Sequence, residues 1–298
     1  MVLTLSGLQV LGVRYAGSRF VGDQQRALNA YLKEDVYKQA QVPFAYVEPR
    51  MPETMQSDDQ VIRYGVLGSA IAEAVAPARR AGKAILLVGG NCHCATGVLG
   101  GLQDAHGPAA RIGLVWFDAH GDFNTPNTTL SGSLGGMPVA VCAGLALPEW
   151  RERSHVVAPL PTNRIVMTDL RNLDLPEEQL LRATDVVVAA PAPGFPGQDL
   201  GQAVSELADR VDMIYLHIDA DILDARFVPH HRTKEPDGPD MAQVLAAIGT
   251  VMATNKVVAL AIVSVYFGGE SRVDVASGVE MVRGSLALWR QHSDWKSA

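Results

Sequence analysis

The chain has 298 residues, 48% of them hydrophobic, 19% charged and 6% aromatic, with a formal charge of −7. That apolar share excludes a disordered chain, and an acidic balance without any basic cluster argues against a nucleic-acid partner. The three cysteines, Cys92, Cys94 and Cys142, are too few and too irregularly spaced for a disulfide framework, and they suit a reducing cytoplasm. The opening MVLTLSGLQVLGVRYAG lacks the basic segment of a secretory signal. The uncharged run 125–148 holds four glycines and three prolines and is not read as a spanning helix. A cytoplasmic protein with no membrane partner is expected.

In chain order, apolar runs predict strands over 3–13, 42–47, 84–88, 112–117, 164–167, 186–190, 214–218 and 257–265. Helical patterning falls on 59–81, 200–211, 241–253 and 279–292. Runs such as AILLV and VVALAIV are wholly apolar, as in strands buried on both faces of a parallel sheet. The alternation predicts one doubly wound α/β domain over 1–298, with ligands at the carboxyl ends of its strands.

Three predicted strand ends carry reactive side chains. The strand 112–117 runs into Asp118, Ala119, His120, Gly121 and Asp122, and the i, i+2 period puts Asp118 and His120 on one face. The strand 214–218 runs into Asp219, Ala220 and Asp221, again with two carboxylates on one side. A lone Asp-x-Asp is usually a turn device, but two such sets, one with an interleaved histidine, point to a metal site. Four carboxylates and an imidazole at one mouth repel without a cation, and hard oxygen ligands suit Mn²⁺, two ions sharing bridging carboxylates. The third strand ends in GGNCHC (89–94), where Cys92, His93 and Cys94 lack the spacing and the second ligand pair of a zinc finger.

The strings DAHGDFNTPNTTLSG (118–132) and DADILD (219–224) resemble the ureohydrolase superfamily of arginase, agmatinase and formimidoylglutamase, over about 83–267. The resemblance implies a three-layer α/β/α fold with a central mostly parallel sheet and a homo-oligomer, trimer or hexamer. It also implies two Mn²⁺ ions and a metal-bridging hydroxide that cleaves a C–N bond of an amidino or guanidino group. Asp118, His120, Asp122, Asp219 and Asp221 match the family's ligands, with Asp122 and His120 also in catalytic positions; Asp122 would take a proton and later assist departure. Cys92 falls where the family has its other histidine ligand, and a thiolate suits zinc-like ions better than Mn²⁺.

For a small amino-acid-derived substrate, Asn124 and Ser131 match the positions that read a carboxylate. Asp174 resembles the position that reads an amino group, with Leu175 as an inserted residue, and Thr233 matches a threonine beside the metals. Asn124 and Asp174 also suit turns, and Ser131 a helix cap.

Two departures stand out: Gly135 replaces the histidine that shuttles protons, and Ser264 the glutamate that grips a guanidinium. Gly135 and Cys92 resemble the Nω-hydroxy-arginine amidinohydrolase branch, whose leaving group needs less protonation, while Ser264 disfavours an ordinary arginase or agmatinase activity. All three departures, at Cys92, Gly135 and Ser264, also fit a catalytically impaired protein with a regulatory or assembly role, although five retained acidic or imidazole ligands oppose that reading. The polar loop PHHRTKE (229–235) offers His230 or His231 as an acid–base and Arg232 as an anion contact, or simply a solvated surface. Glu270 is a further candidate acceptor beside the Gly268-Gly269 turn.

Overall fold

The computed structural model describes residues 4–54, 57–265 and 272–296. Its central sheet has eight parallel strands: β1 (Leu8–Val13), β2 (Phe44–Val47), β3 (Ala84–Gly89), β4 (Ile112–His120), β5 (Ile165–Asn172), β6 (Val187–Ala189), β7 (Met213–Asp219) and β8 (Val257–Val263). Their spatial order is β2-β1-β3-β8-β7-β4-β5-β6. The inner strands β3, β4, β7 and β8 are buried almost along their whole length, which is why their sequences read as continuous apolar runs.

Helices cover both faces. On one side lie α1 (Arg26–Lys33), α7 (Leu200–Arg210), α8 (Met241–Met252) and α9 (Arg272–His292), whose apolar residues share a core with Leu86, Val115, Leu216 and Leu260. On the other lie α2 (Gln60–Arg80), α3 (Ala95–His106), α4 (Pro138–Cys142) and α5 (Pro148–Arg153), packed on Leu87, Trp116, Tyr215 and Ala261. Helix α6 (Leu175–Arg182) adds Leu181 to that second core. The result is the expected three-layer α/β/α architecture.

Capping sets the helix starts. Asp59 accepts from the Val61 amide at the head of α2, and Asp240 with Gln243 forms a reciprocal box at the head of α8. Helix α2 is long and apolar enough to cross a membrane by length and composition, yet 56% of that window is buried in the fold. Its close approach to α3 requires glycine, because a Cβ on Gly97 would lie 2.5 Å from the Gly68 carbonyl oxygen.

Several boundaries differ from the sequence reading. The run 3–13 is interrupted: Thr4–Leu5 pairs with Asp294–Trp295, and Gly7, at φ +147°, turns the chain before β1. Helix α9 starts seven residues before the predicted 279. Strands β4 and β5 continue past the apolar runs into polar residues, because ladder bonding to a neighbour does not require an apolar side chain. The short helices α1, α4, α5 and α6 lay outside the predicted set; only α1 and α6, of eight residues each, exceed two turns, and all four are too short for a distinct period. Glu270 and the Gly268-Gly269 turn lie outside the described residues.

Candidate metal centre

The centre forms where β3, β7 and β4 end, at the carboxyl edge of the sheet. At the end of β4 the pairing with β5 shifts between Asp118 and His120, a local irregularity that re-aims the strand's last side chains. The His120 amide donates to Asp118 Oδ1 at 2.7 Å, and its ring Nδ1 lies 3.3 Å from the same oxygen. The chain then reverses through Asp122, which adopts a left-handed φ of 47° that aspartate tolerates better than most residues. Gly121 leaves room for the side chains around it: a Cβ there would sit 2.8 Å from Glu177 Oε1 and 2.8 Å from Leu173 Cδ2, and one of them would have to shift. Buried Glu177 holds this turn by accepting from the Phe123 amide at 2.8 Å and the Asp174 amide at 3.3 Å.

Asp219 closes β7 and accepts from the Asp221 amide at 3.0 Å, which folds the two carboxylates toward one another. Arg171, reaching over from the end of β5, pairs with Asp169 and donates to the carbonyls of Asp221 (2.9 Å) and Ile222 (3.1 Å). From β3, the Cys92 thiol donates to Asp219 Oδ2 at 2.9 Å, with Asp118 Oδ2 at 3.7 Å.

Three ligand-type groups result: Cys92, Asp118 and Asp122; Asp118, His120 and Asp221; Asp219, Asp221 and His231. Within each, the candidate ligand atoms lie within 4.8 Å of one another. Asp118 belongs to the first two and Asp221 to the last two, an arrangement suited to carboxylates shared between cations.

The electrostatics carry the same message. Burial, reinforced by neighbouring carboxylates, pushes the Asp118 and Asp122 carboxyls and the Cys92 thiol well above their ordinary ranges. Burial opposes charge on His120 too, but its hydrogen bonds to Asp118 and Asp221 win and push it up to about 12. Burial likewise works against ionised Asp221, yet His120 and His231 hold it well below the usual carboxylate range. The protein thus gathers protons and imidazoles where positive charge is needed, and the mixed carboxylate, imidazole and thiol donors fit a pair of divalent cations.

Sequence reasoning underweighted two residues of the 229–235 loop. His231 is 7% exposed, with Nε2 3.3 Å from Asp219 and Nδ1 3.5 Å from Asp221, so this histidine is part of the centre rather than a solvated surface. Its neighbour His230 turns away to Asp274, and Arg232 is exposed. Glu235 lies 3.4 Å from His120 Nε2 and accepts from Asn172 at 2.7 Å. An adjacent carboxylate of this kind orients a metal-ligating imidazole. A histidine pair in a polar loop was the available signal; which one points inward depends on the loop's path.

Around the mouth, Thr233 donates its hydroxyl to Asp221 Oδ2 at 2.9 Å. Asn124 donates to Asp174 at 3.2 Å, and Asp174 also accepts from the Leu130 amide at 3.1 Å and caps α6. These three residues therefore already make structural bonds, while Ser131 is exposed within its turn. Leu175, which looked inserted, is the exposed first residue of α6. Gly135 lies exposed in a short turn. Ser264 is buried at φ +60°, its amide bonded to the Gly90 carbonyl at 3.0 Å and its hydroxyl accepting from Asn91 at 3.4 Å.

Comparison with known proteins agrees with this geometry. The Arginase family pattern matches residues 13–267. The arginase of Entamoeba histolytica is 29% identical over 157 residues, 52% of this chain and 52% of that protein. The Nω-hydroxy-L-arginine amidinohydrolase of Streptomyces lavendulae is 32% identical over 184 residues, 62% of each. The sequence alignments with the Entamoeba histolytica and Bacillus caldovelox arginases span about half of those proteins' length. Among solved structures, Bacillus caldovelox arginase superposes with a TM-score of 0.81 at 21% identity, covering 95% of this chain and 98% of that one. With a family pattern spanning most of its length, and that fold beneath the clustered acidic and imidazole side chains, the chain belongs to the arginase family.

Proposed function

We propose that the protein is a metal-dependent hydrolase that cleaves a C–N bond in an amidino- or guanidino-type group of a small amino-acid-derived substrate. The observation that carries this is the convergence of Cys92, Asp118, His120, Asp122, Asp219 and Asp221 at the carboxyl ends of β3, β4 and β7. Two cations of the Mn²⁺ class, when bound, supply Lewis acidity and a nucleophilic water at neutral pH. Asp122 is the buried carboxyl assigned to take the proton and return it to the leaving nitrogen, with His120 beside it. Asn124, Ser131, Asp174 and Thr233 are assigned to substrate. For Thr233, the bond to Asp221 makes holding that carboxylate part of the assignment. His231, buried against Asp219, is the acid–base candidate of its loop.

The narrower reading is an Nω-hydroxy-L-arginine amidinohydrolase releasing hydroxyurea. It is supported by Cys92, by Gly135 and Ser264 in place of charged groups, and by the likeness to the Streptomyces lavendulae protein of that name. Losing a charged acceptor opposite a guanidinium costs about 1.5–3 kcal/mol, which disfavours plain arginine. The same reading takes residues 1–298 as a single domain and the working form as a cytoplasmic homo-oligomer, trimer or hexamer.

The test is metal content together with product release from arginine, agmatine and Nω-hydroxy-arginine. About two metal ions per chain and faster turnover of the hydroxylated compound are expected. Arginine turned over equally fast would defeat the narrower reading. Negligible metal after growth in manganese, with Asp118→Asn leaving stability unchanged, would favour a regulatory or assembly protein over an enzyme.

A further inference from the structure

Behind Cys92 lies a buried pair of side chains to which the reaction gives no role. His217, on β7, is fully buried, its ring stacked flat on Trp116 at 3.9 Å and 3°. Its Nε2 lies 3.4 Å from the Cys92 sulfur, and its Nδ1 lies 2.7 Å from the hydroxyl of buried Tyr215.

The tautomer follows from where the phenol proton can go. A buried tyrosine hydroxyl keeps its hydrogen bonded, and among the described residues its partner is Nδ1 of His217. A nitrogen that accepts this bond carries no proton, so a neutral imidazole holds its proton on Nε2. That N–H is the one facing sulfur. On its other side the sulfur faces Asp219 at 2.9 Å and Asp118 at 3.7 Å.

We propose that Tyr215 and His217 form a relay whose Nε2–H donates a hydrogen bond to Cys92, so that Cys92, its own thiol proton released to solvent as a cation binds, serves that metal as a hydrogen-bonded thiolate. This rests on Cys92 being a metal ligand, as in the function proposed above. An N–H directed at the sulfur withdraws electron density from it and fixes its orientation, as outer hydrogen bonds do for metal ligands generally. The relay brings a soft ligand closer to the donor strength of the carboxylates beside it, which widens the range of metals the site accepts. His217 and Tyr215 are positioning residues, acting through the sulfur.

The probe is Co²⁺ alone, loaded into the full chain, because a cobalt–thiolate bond gives a ligand-to-metal charge-transfer band in the near ultraviolet. The unaltered protein is expected to show the band and Cys92→Ser to lose it. His217→Phe keeps an aromatic ring on Trp116 and removes the N–H; the freed sulfur is the better electron donor, so the band should move to longer wavelength with cobalt content unchanged. Tyr215→Phe, which deletes only the hydroxyl, should move it in the same direction by less, and it decides the matter if His217→Phe does not fold. A band that stays in place in these variants overturns the relay and leaves Cys92 a ligand. Loss of one cobalt per chain in His217→Phe overturns it too, making His217 itself a ligand. Absence of the band from the unaltered protein removes Cys92 from the metal and the relay with it.

Discussion

Replacing Asp122 by asparagine should stabilise the metal-free protein while weakening the metal-loaded one. Asp122 is buried with Cys92 and Asp118, and burial pushes its carboxyl well above the ordinary range, with Asp219, Glu177 and Asp221 adding to the effect and His120 opposing it. At pH 8 and without cations, such a group costs about 1–3 kcal/mol, either by staying ionised away from water or by taking up a proton that the solvent would not give it in the unfolded chain. For a chain of this length 1 kcal/mol corresponds to about 2 °C, so Asp122→Asn should raise the chelated protein's Tm by about 2–6 °C at pH 8. In the loaded protein the same change removes a charged ligand. If metal at about a thousandfold over its dissociation constant contributes about 4 kcal/mol, most of that is forfeited, lowering Tm by about 8 °C.

The pH dependence has a definite sign. A carboxyl raised in the fold carries no penalty below its unfolded value near ~3.9, and the penalty grows as pH climbs above it. His120, pushed up to about 12, stabilises fully below its unfolded value near ~6.5 and progressively less above it. Both make the chelated protein less stable at pH 8 than at pH 5, and Asp122→Asn should narrow that gap. Differential scanning calorimetry of chelated and manganese-loaded samples at both pH values measures all four quantities. An asparagine that lowers Tm at pH 8 equally with and without metal would refute the reasoning.

Three further outcomes are expected. Gly121→Ala should cost about 1–3 kcal/mol by driving a methyl into Glu177, and should reduce metal retention because the turn carrying Asp122 moves; calorimetry and metal analysis read the two effects. Arg171→Met should cost about 3–5 kcal/mol in urea unfolding, since Asp169 is left buried without its partner and the carbonyls of Asp221 and Ile222 lose their donor. His120→Asn should lower the metal content by about one ion per chain, because the middle ligand group loses its nitrogen; unchanged content would remove His120 from the ligands.

Legibility followed the range of the interactions. The apolar runs of β3, β4, β7 and β8 were readable because burial on both faces demands uniformly apolar side chains. The carboxylates were readable because they follow those runs directly, where the backbone period alone fixes their facing. The interruption at Gly7 and the extra turns of α9 were not, since neither changes the local pattern enough to mark an end. Nor could the sequence separate His230 from His231: identical neighbours in a polar loop differ only in what the loop packs against.

By itself, then, the sequence determined the layered α/β architecture and the acidic, imidazole-bearing strand ends, since both rest on periodicities of a few residues. Only the tertiary structure decided which strands adjoin, so that Cys92, Asp118 and Asp219 meet at one mouth. It alone turned His231 inward, set Glu235 against His120 and placed His217 behind the Cys92 sulfur. The contacts of Cys92 with Asp219, of Glu235 with His120 and of His217 with Cys92 each join residues more than 100 positions apart, and their geometry follows from how strands and helices pack rather than from spacing along the chain.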